Sequence, residues 1–293
     1  MIVITTPTGA IGRQLVDRLL DAWEPVRVVV RDPARLAAHV RERVEVVPGS
    51  HGDAATLARA LEGADRLFWV VPPAGFRDAG PAERYYVEFT RAACGEAARR
   101  GVRMVGVTSL GHGYRGGAGL LSAALAMDGL IGASGVAHRA LALPFFMENL
   151  LHQARTIGEQ GVLALPNAAD RPLPTVATRD VAAAAAELLL DASWDGRARV
   201  PLTAPGDLTP VGMAEAVSAA LGRPVRYRQV PLDEFRAGML ARGASPALVR
   251  DMADMVAAQN DGIYDAEPRE PGAAGATGFG QWCREVLAPA VPA

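Results

Sequence analysis

Three groups of residues in this 293-residue chain have types and spacings that could do chemistry. The first is Thr6-Pro7-Thr8-Gly9-Ala10-Ile11-Gly12, a turn set between a β-branched run, Ile2-Val3-Ile4, and an apolar period of helical spacing, Ile11, Leu15, Val16, Leu19 and Leu20. A strand entering a helix through such a turn offers the free amides of the helix N-terminus to an anion. Gly9 lets a pyrophosphate reach the backbone where a β-carbon would obstruct it, and Gly12 lets the helix pack closely on a sheet. The second is Arg31, which follows the run Val26-Arg27-Val28-Val29-Val30. An acidic residue there would hydrogen-bond the ribose hydroxyls of NAD, whereas arginine pairs with the 2′-phosphate of NADP, so Arg31 favours NADP; the alternative is a strand-end charge partnered by Asp32. The third runs from Thr108 and Ser109 to His112 and Tyr114, at and beyond the end of the run Arg103 to Ser109.

Hydride transfer requires a nicotinamide held close to an electrophilic carbon in a dry cleft, and a proton for the oxygen or nitrogen that results. Thr108 and Ser109 are placed either to orient a substrate carbonyl or to cap the following turn. His112 and Tyr114, in the glycine-rich segment 111–119, are candidate proton donors on a lid, with a solvated loop as the alternative. Phe145, Phe146 and Met147 would wall a flat apolar substrate or pack a core. Asn149 and His152 could reach the same cleft.

The elements needed to hold these residues are legible in the apolar pattern. Strands alternate with helices through about residue 149: a helix at 34–41, a strand at 44–47, a helix at 54–61, a strand at 66–71 stopped by Pro72-Pro73, a helix at 81–100 ended by Gly101, a strand at 103–109, a helix at 120–133 and a strand at 137–143. Such alternation predicts a Rossmann-type, doubly wound parallel sheet over residues 1–149. Residues 150–293 are expected to form mainly a smaller α/β substrate-facing lobe, with a strand and helix at about 175–190 returning to the first domain and a loop at 268–280 before a short last helix.

Composition narrows the function classes. Half of the residues are hydrophobic and the formal charge is −2, so a full core is available and no basic field invites nucleic acid. No apolar run reaches membrane-spanning length and the chain opens directly into a strand, so a cytoplasmic location is expected and membrane association is not. Cys94 and Cys283 lack the neighbours a metal site needs, and no metal is expected. All 30 basic residues are arginine. A Tyr-x-x-x-Lys pair and Schiff-base chemistry on a chain lysine are therefore excluded.

Taken in order, Pro7-Thr8-Gly9-Ala10-Ile11-Gly12, Val30-Arg31-Asp32-Pro33, Val70-Val71-Pro72-Pro73, Val107-Thr108-Ser109, Pro144-Phe145-Phe146-Met147-Glu148-Asn149, Arg179-Asp180-Val181-Ala182 and Val230-Pro231-Leu232-Asp233-Glu234-Phe235 resemble the NmrA-like atypical short-chain dehydrogenase/reductase family over nearly the full length. That family includes NADP-dependent quinone and triphenylmethane reductases and redox-sensing regulators without turnover. The resemblance implies NADPH held by Thr6, Thr8, Gly9, Ala10, Ile11, Gly12, Arg31, Val71, Pro72 and Thr108, and a substrate between the two lobes. It departs at Thr6, where the family's first glycine belongs, at Ser50 in Gly49-Ser50-His51-Gly52, where an acidic residue is usual and Asp53 is the nearest substitute, and in the apolar stretch 122–130, whose one charged residue is Asp128. The expected function is an NADPH-dependent reductase of an apolar, aromatic or quinone-like small molecule, in secondary metabolism. The alternatives are an NADP(H)-sensing regulator without turnover and a redox-neutral or cofactor-free enzyme on the same fold. A homodimer is left open.

Overall fold

The computed structural model describes residues 1–267 and 275–292. Seven parallel strands form the central sheet: β1 (Ile2–Thr5), β2 (Val26–Val30), β3 (Glu45–Pro48), β4 (Arg66–Trp69), β5 (Arg103–Ser109), β6 (His138–Leu143) and, after the short strands β7 (Phe145–Phe146), β8 (Val162–Leu165) and β9 (Thr175–Val176), β10 (Arg197–Pro201). Their order is β10-β6-β5-β4-β1-β2-β3. The chain runs outward from β1 to β3 and then restarts on the other side with β4, so a crevice opens beyond the carboxyl ends of β1 and β4, where ligands of such sheets bind.

The apolar strands are continuous because both faces are covered. Ile2, Ile4, Val28 and Phe68 point into one core layer with the helices Ala10–Asp21 and Thr178–Leu190. Val3, Val29, Leu67 and Trp69 alternate into the other, under the helices Ala54–Ala60, Ala82–Arg100 and Leu120–Ala133. The central sheet is of the Rossmann-type α/β class; the helix Thr178–Leu190 packs on the helix Ala10–Asp21, whereas β9 just before it pairs with β7 outside that sheet.

Beyond the sheet, β8 pairs in parallel with β11 (Arg226–Gln229), and β7 pairs with β9. A further apolar core, which includes Met147, Leu150, Leu163, Met213, Trp282 and Leu287, fills this region. The expected helix at 34–41 is instead a 3₁₀ turn, Pro33–Arg35, and a single α turn, Ala38–Arg41, because Leu36 is extended between them (φ −75°, ψ 139°). The strand β10 joins the main sheet beside β6. Most of the loop expected at 268–280, residues 268–274, lies outside the described residues, and the last helix starts at Phe279.

Candidate active site

Thr5 and Thr6 shape the crevice. Thr5 is fully buried; its hydroxyl donates to the Phe68 carbonyl (2.8 Å) and accepts from the Val70 amide (3.2 Å), which ties β1 to β4 just below the opening. Thr6 then turns with φ 51°, one of two non-glycine residues among those described with positive φ. Its carbonyl accepts from the Gly9 amide (3.0 Å), and a β-carbon on Gly12 would collide with that same carbonyl. The helix Ala10–Asp21 begins there with no side-chain cap and no acidic residue in its first turn. Its orphan amides are left facing the cleft, a cradle that suits a pyrophosphate.

The cleft has a volume of about 940 Å³. At one end are Arg31, Asp32 and Arg35. Asp32 is not the ion-pair partner of Arg31; its carboxylate caps the 3₁₀ turn by accepting from the Ala34 amide (3.0 Å). Both arginines are exposed there. Beside them, Ser50 and His51 line the wall in place of an acidic residue, while Asp53 caps the helix Ala54–Ala60 by accepting from the Thr56 amide and hydroxyl (2.8 Å each) and lies outside the lining. His51 packs edge-on against Trp69 and Phe89, and its Nε2 donates to the Val70 carbonyl (3.0 Å). Burial lowers its pKa to about 4, against that hydrogen bond and with the Arg31 charge adding to the shift, so the ring is neutral at pH 7. The middle of the cleft is made by Thr6, Thr8, Gly9, Ala10, Ile11 and Gly12 on one side and Val71 and Pro72 on the other.

At the far end stand Phe146, Glu148, Asn149, His152 and Thr178. Glu148 accepts from the Thr178 amide (3.0 Å) and hydroxyl (2.8 Å) and from the Trp282 indole (3.3 Å), so it caps the helix Thr178–Leu190 and joins the sheet domain to the C-terminal core. The segment after β4 that carries Val71 and Pro72 is anchored from outside. The Ser245 hydroxyl donates to the Ala79 carbonyl (2.7 Å), and the Ser245 amide donates to that of Phe76 (3.0 Å).

Several residues singled out by sequence lie elsewhere. The Thr108 hydroxyl donates to the Ala124 carbonyl (3.1 Å) and the Ser109 hydroxyl to that of Leu110 (2.7 Å); neither residue lines the cleft. Met147 is wholly buried in the C-terminal core and Phe145 packs against it, both outside the lining. Tyr114 donates to Asp261 (2.8 Å). His112 Nε2 bonds Asp128 (2.8 Å), and its Nδ1 is 3.3 Å from Glu267 but out of hydrogen-bond alignment. The segment 111–119 is a packed strap rather than a lid: β-carbons on Gly111, Gly113 or Gly119 would strike Ile263, Ala266 or Asp251, so its glycines permit close packing.

Asp128 gathers His112, His138 Nδ1 (3.5 Å) and Arg199 (3.6 Å) away from the cleft. Burial pushes its pKa up, but those partners outweigh it and hold the carboxyl below its usual range. Among the described residues no cluster could hold a metal ion, and no helix is long and apolar enough to cross a membrane.

A family of NAD(P)H-binding proteins matches residues 7–192, and the NmrA-like family matches residues 135–274. The NAD(P)H azoreductase of Xenophilus azovorans is 30% identical over 93% of each chain. The chain belongs to the NAD(P)H-binding, NmrA-like family. Another relative of this NmrA-like protein, 32% identical over 84% of this chain and 83% of its own, is the (4-alkanoyl-5-oxo-2,5-dihydrofuran-3-yl)methyl phosphate reductase of Streptomyces griseus. The fold is also that of the Escherichia coli NADPH-dependent quinone oxidoreductase solved with NADPH (TM-score 0.78, 23% identity, 99% of both chains). The two relatives of this NmrA-like chain at 30% identity or more are thus both reductases, one of them named for NAD(P)H. Glu148, His51 and Thr5 carried no role in the sequence reading, because their functions depend on Thr178, Val70 and Phe68, each remote along the chain.

Proposed function

We propose that the protein is an NADPH-dependent reductase of a flat, apolar, quinone-like small molecule. The observation that carries the reading is the cleft itself, with an uncapped helix N-terminus at its centre, two arginines at one end and Phe146 beside Asn149 at the other. In this reading the pyrophosphate sits on the amides after Gly9 and the 2′-phosphate lies between Arg31 and Arg35, whose planar guanidinium groups suit it. Val71 and Pro72 border the dinucleotide opposite the glycine turn. The bound cofactor supplies the hydride; the chain's own contribution is to hold it, to exclude water and to present Phe146 as an apolar face for the acceptor.

The test is calorimetric titration with NADPH and NADH, followed by an oxidation assay against a panel of small quinones and azo compounds. Tight NADPH binding with acceptor-dependent oxidation is expected, and failure to bind NADPH would end the reading. A second reading, a dinucleotide-sensing regulator without turnover, is favoured by one observation: the hydroxyls of Thr108, Ser109 and Tyr114 are all engaged away from the cleft. Tight binding with no oxidation of any acceptor would select it.

A further inference from the structure

Reduction of a quinone or an azo bond by hydride leaves an anion on oxygen or nitrogen, and some group must supply its proton. The residues around this cleft can be taken one at a time as sources. Tyr114 donates its hydroxyl proton to Asp261, and that bond, with burial and the Asp261 charge, raises the phenol pKa. His112 is held by Asp128, outside the cleft. Within the cleft, His51 is neutral at pH 7, its Nε2 hydrogen is donated to the Val70 carbonyl, and the ring stands at the Arg31 end. Tyr85, at that same end, feels the Arg31 charge, but burial raises its pKa on balance. Glu148 is an acceptor for Thr178 and Trp282, and the Thr178 hydroxyl is already donated to it.

His152 remains. It lies at the far end of the cleft from Arg31, three residues beyond Asn149 on the 3₁₀ segment Met147–Gln153. It is exposed, and its ring has no hydrogen-bond or ion-pair partner among the described residues. A dinucleotide whose adenosine ribose is at Arg31 and whose pyrophosphate is at Gly9 must extend its other nucleoside toward this end. An exposed imidazole there can give a proton to a product anion and take another from water.

We propose that His152 is the proton donor of the reduction, an inference that rests on the reductase reading above. Two electrons and one hydrogen pass as hydride from the reduced nicotinamide to the acceptor. The imidazolium N–H bond of His152 then breaks as the new O–H or N–H bond forms, and the neutral ring recovers its proton from solvent. Acceptor, NADPH and one solvent proton give reduced acceptor and NADP.

The experiment compares the wild type with His152→Gln and His152→Ala. NADP binding would be measured by calorimetry, quinone reduction across pH, and the His152 ring resonance, assigned by its loss in His152→Gln, by NMR with and without NADP. Expected are NADP affinities within about twofold of wild type, a kcat lowered about tenfold or more in both variants, loss of the decline in kcat at alkaline pH, and partial recovery of His152→Ala by added imidazole. The His152 resonance should move when NADP binds. An unchanged kcat and pH profile in His152→Gln, with an active wild type, overturns the assignment alone. A wild type that neither binds NADPH nor oxidises it overturns the reductase reading, and this assignment with it.

Discussion

Thr6 holds a left-handed backbone (φ 51°) that a β-carbon disfavours by about 1–2 kcal/mol. Thr6→Gly should relieve that strain, partly offset by the greater freedom of glycine in the unfolded chain, for a net gain of up to about 1 kcal/mol. Denaturant unfolding measures it, and a less stable variant would mean that the Thr6 side chain contributes more than its backbone costs. Arg31→Ala should weaken NADPH about ten- to a hundredfold, the worth of a charge-assisted phosphate contact of about 1.5–3 kcal/mol, while NADH changes by less than about twofold. Parallel titrations decide it, and equal losses for the two nucleotides would remove the basis for NADP preference. Thr5→Val keeps the shape but deprives the Val70 amide and the Phe68 carbonyl of their partner at the switch point, so a loss of about 1–3 kcal/mol is expected in the same unfolding assay.

At the scale of elements, the cleft is held open by joints rather than by any one strand. Glu148 caps the helix Thr178–Leu190 with its carboxylate on the Thr178 amide, and the same group reaches the Trp282 indole of the last helix. Removing it takes away a cap and a charge favourable to the helix dipole, so Glu148→Ala should cost about 1–2 kcal/mol. The melting temperature should fall and NADPH affinity should drop with it, since Thr178 lines the cleft. A variant with wild-type stability would show that the Glu148 joint carries nothing.

At the scale of the whole molecule, two buried histidines set an acid limit. Burial lowers His51 and His138 from 6.5 to about 4 each; for His138 the attraction of Asp128 opposes this, and Arg197 and Arg139 reinforce it. His138 Nε2 has no hydrogen-bond partner among the described residues and is wedged against Gly106, where a β-carbon would come within 2.9 Å. Because the folded pKa values lie below the unfolded ones, the unfolded chain takes up protons that the fold refuses. Stability is therefore full above about pH 6.5 and declines as pH falls toward 4. At pH 5 each histidine should have removed roughly 2 kcal/mol, and guanidinium unfolding at pH 7 and pH 5 checks it. A free energy that did not change between the two would refute the neutral buried state of both rings.

What the sequence determined by itself is the sheet and the glycine turn at the centre of the cleft, because these depend on neighbours in the chain. Period-two and period-3.6 apolar patterns report local burial, and Gly9, Gly12 and Arg31 reach the cleft through the turn and strand end that contain them. What only the tertiary structure decided is which polar side chains remain available. Thr108, Ser109, His112 and Tyr114 stand near the right strand in sequence, yet each is claimed by a partner outside the cleft: Ala124, the adjacent Leu110 carbonyl, Asp128 and Asp261. Conversely, His152 lines the cleft exposed, with no hydrogen-bond or ion-pair partner among the described residues. Hydrogen bonds between residues remote in the chain, 147 positions apart for Tyr114 and Asp261, leave no periodic trace in a sequence, so the availability of a donor is a property of the packed molecule.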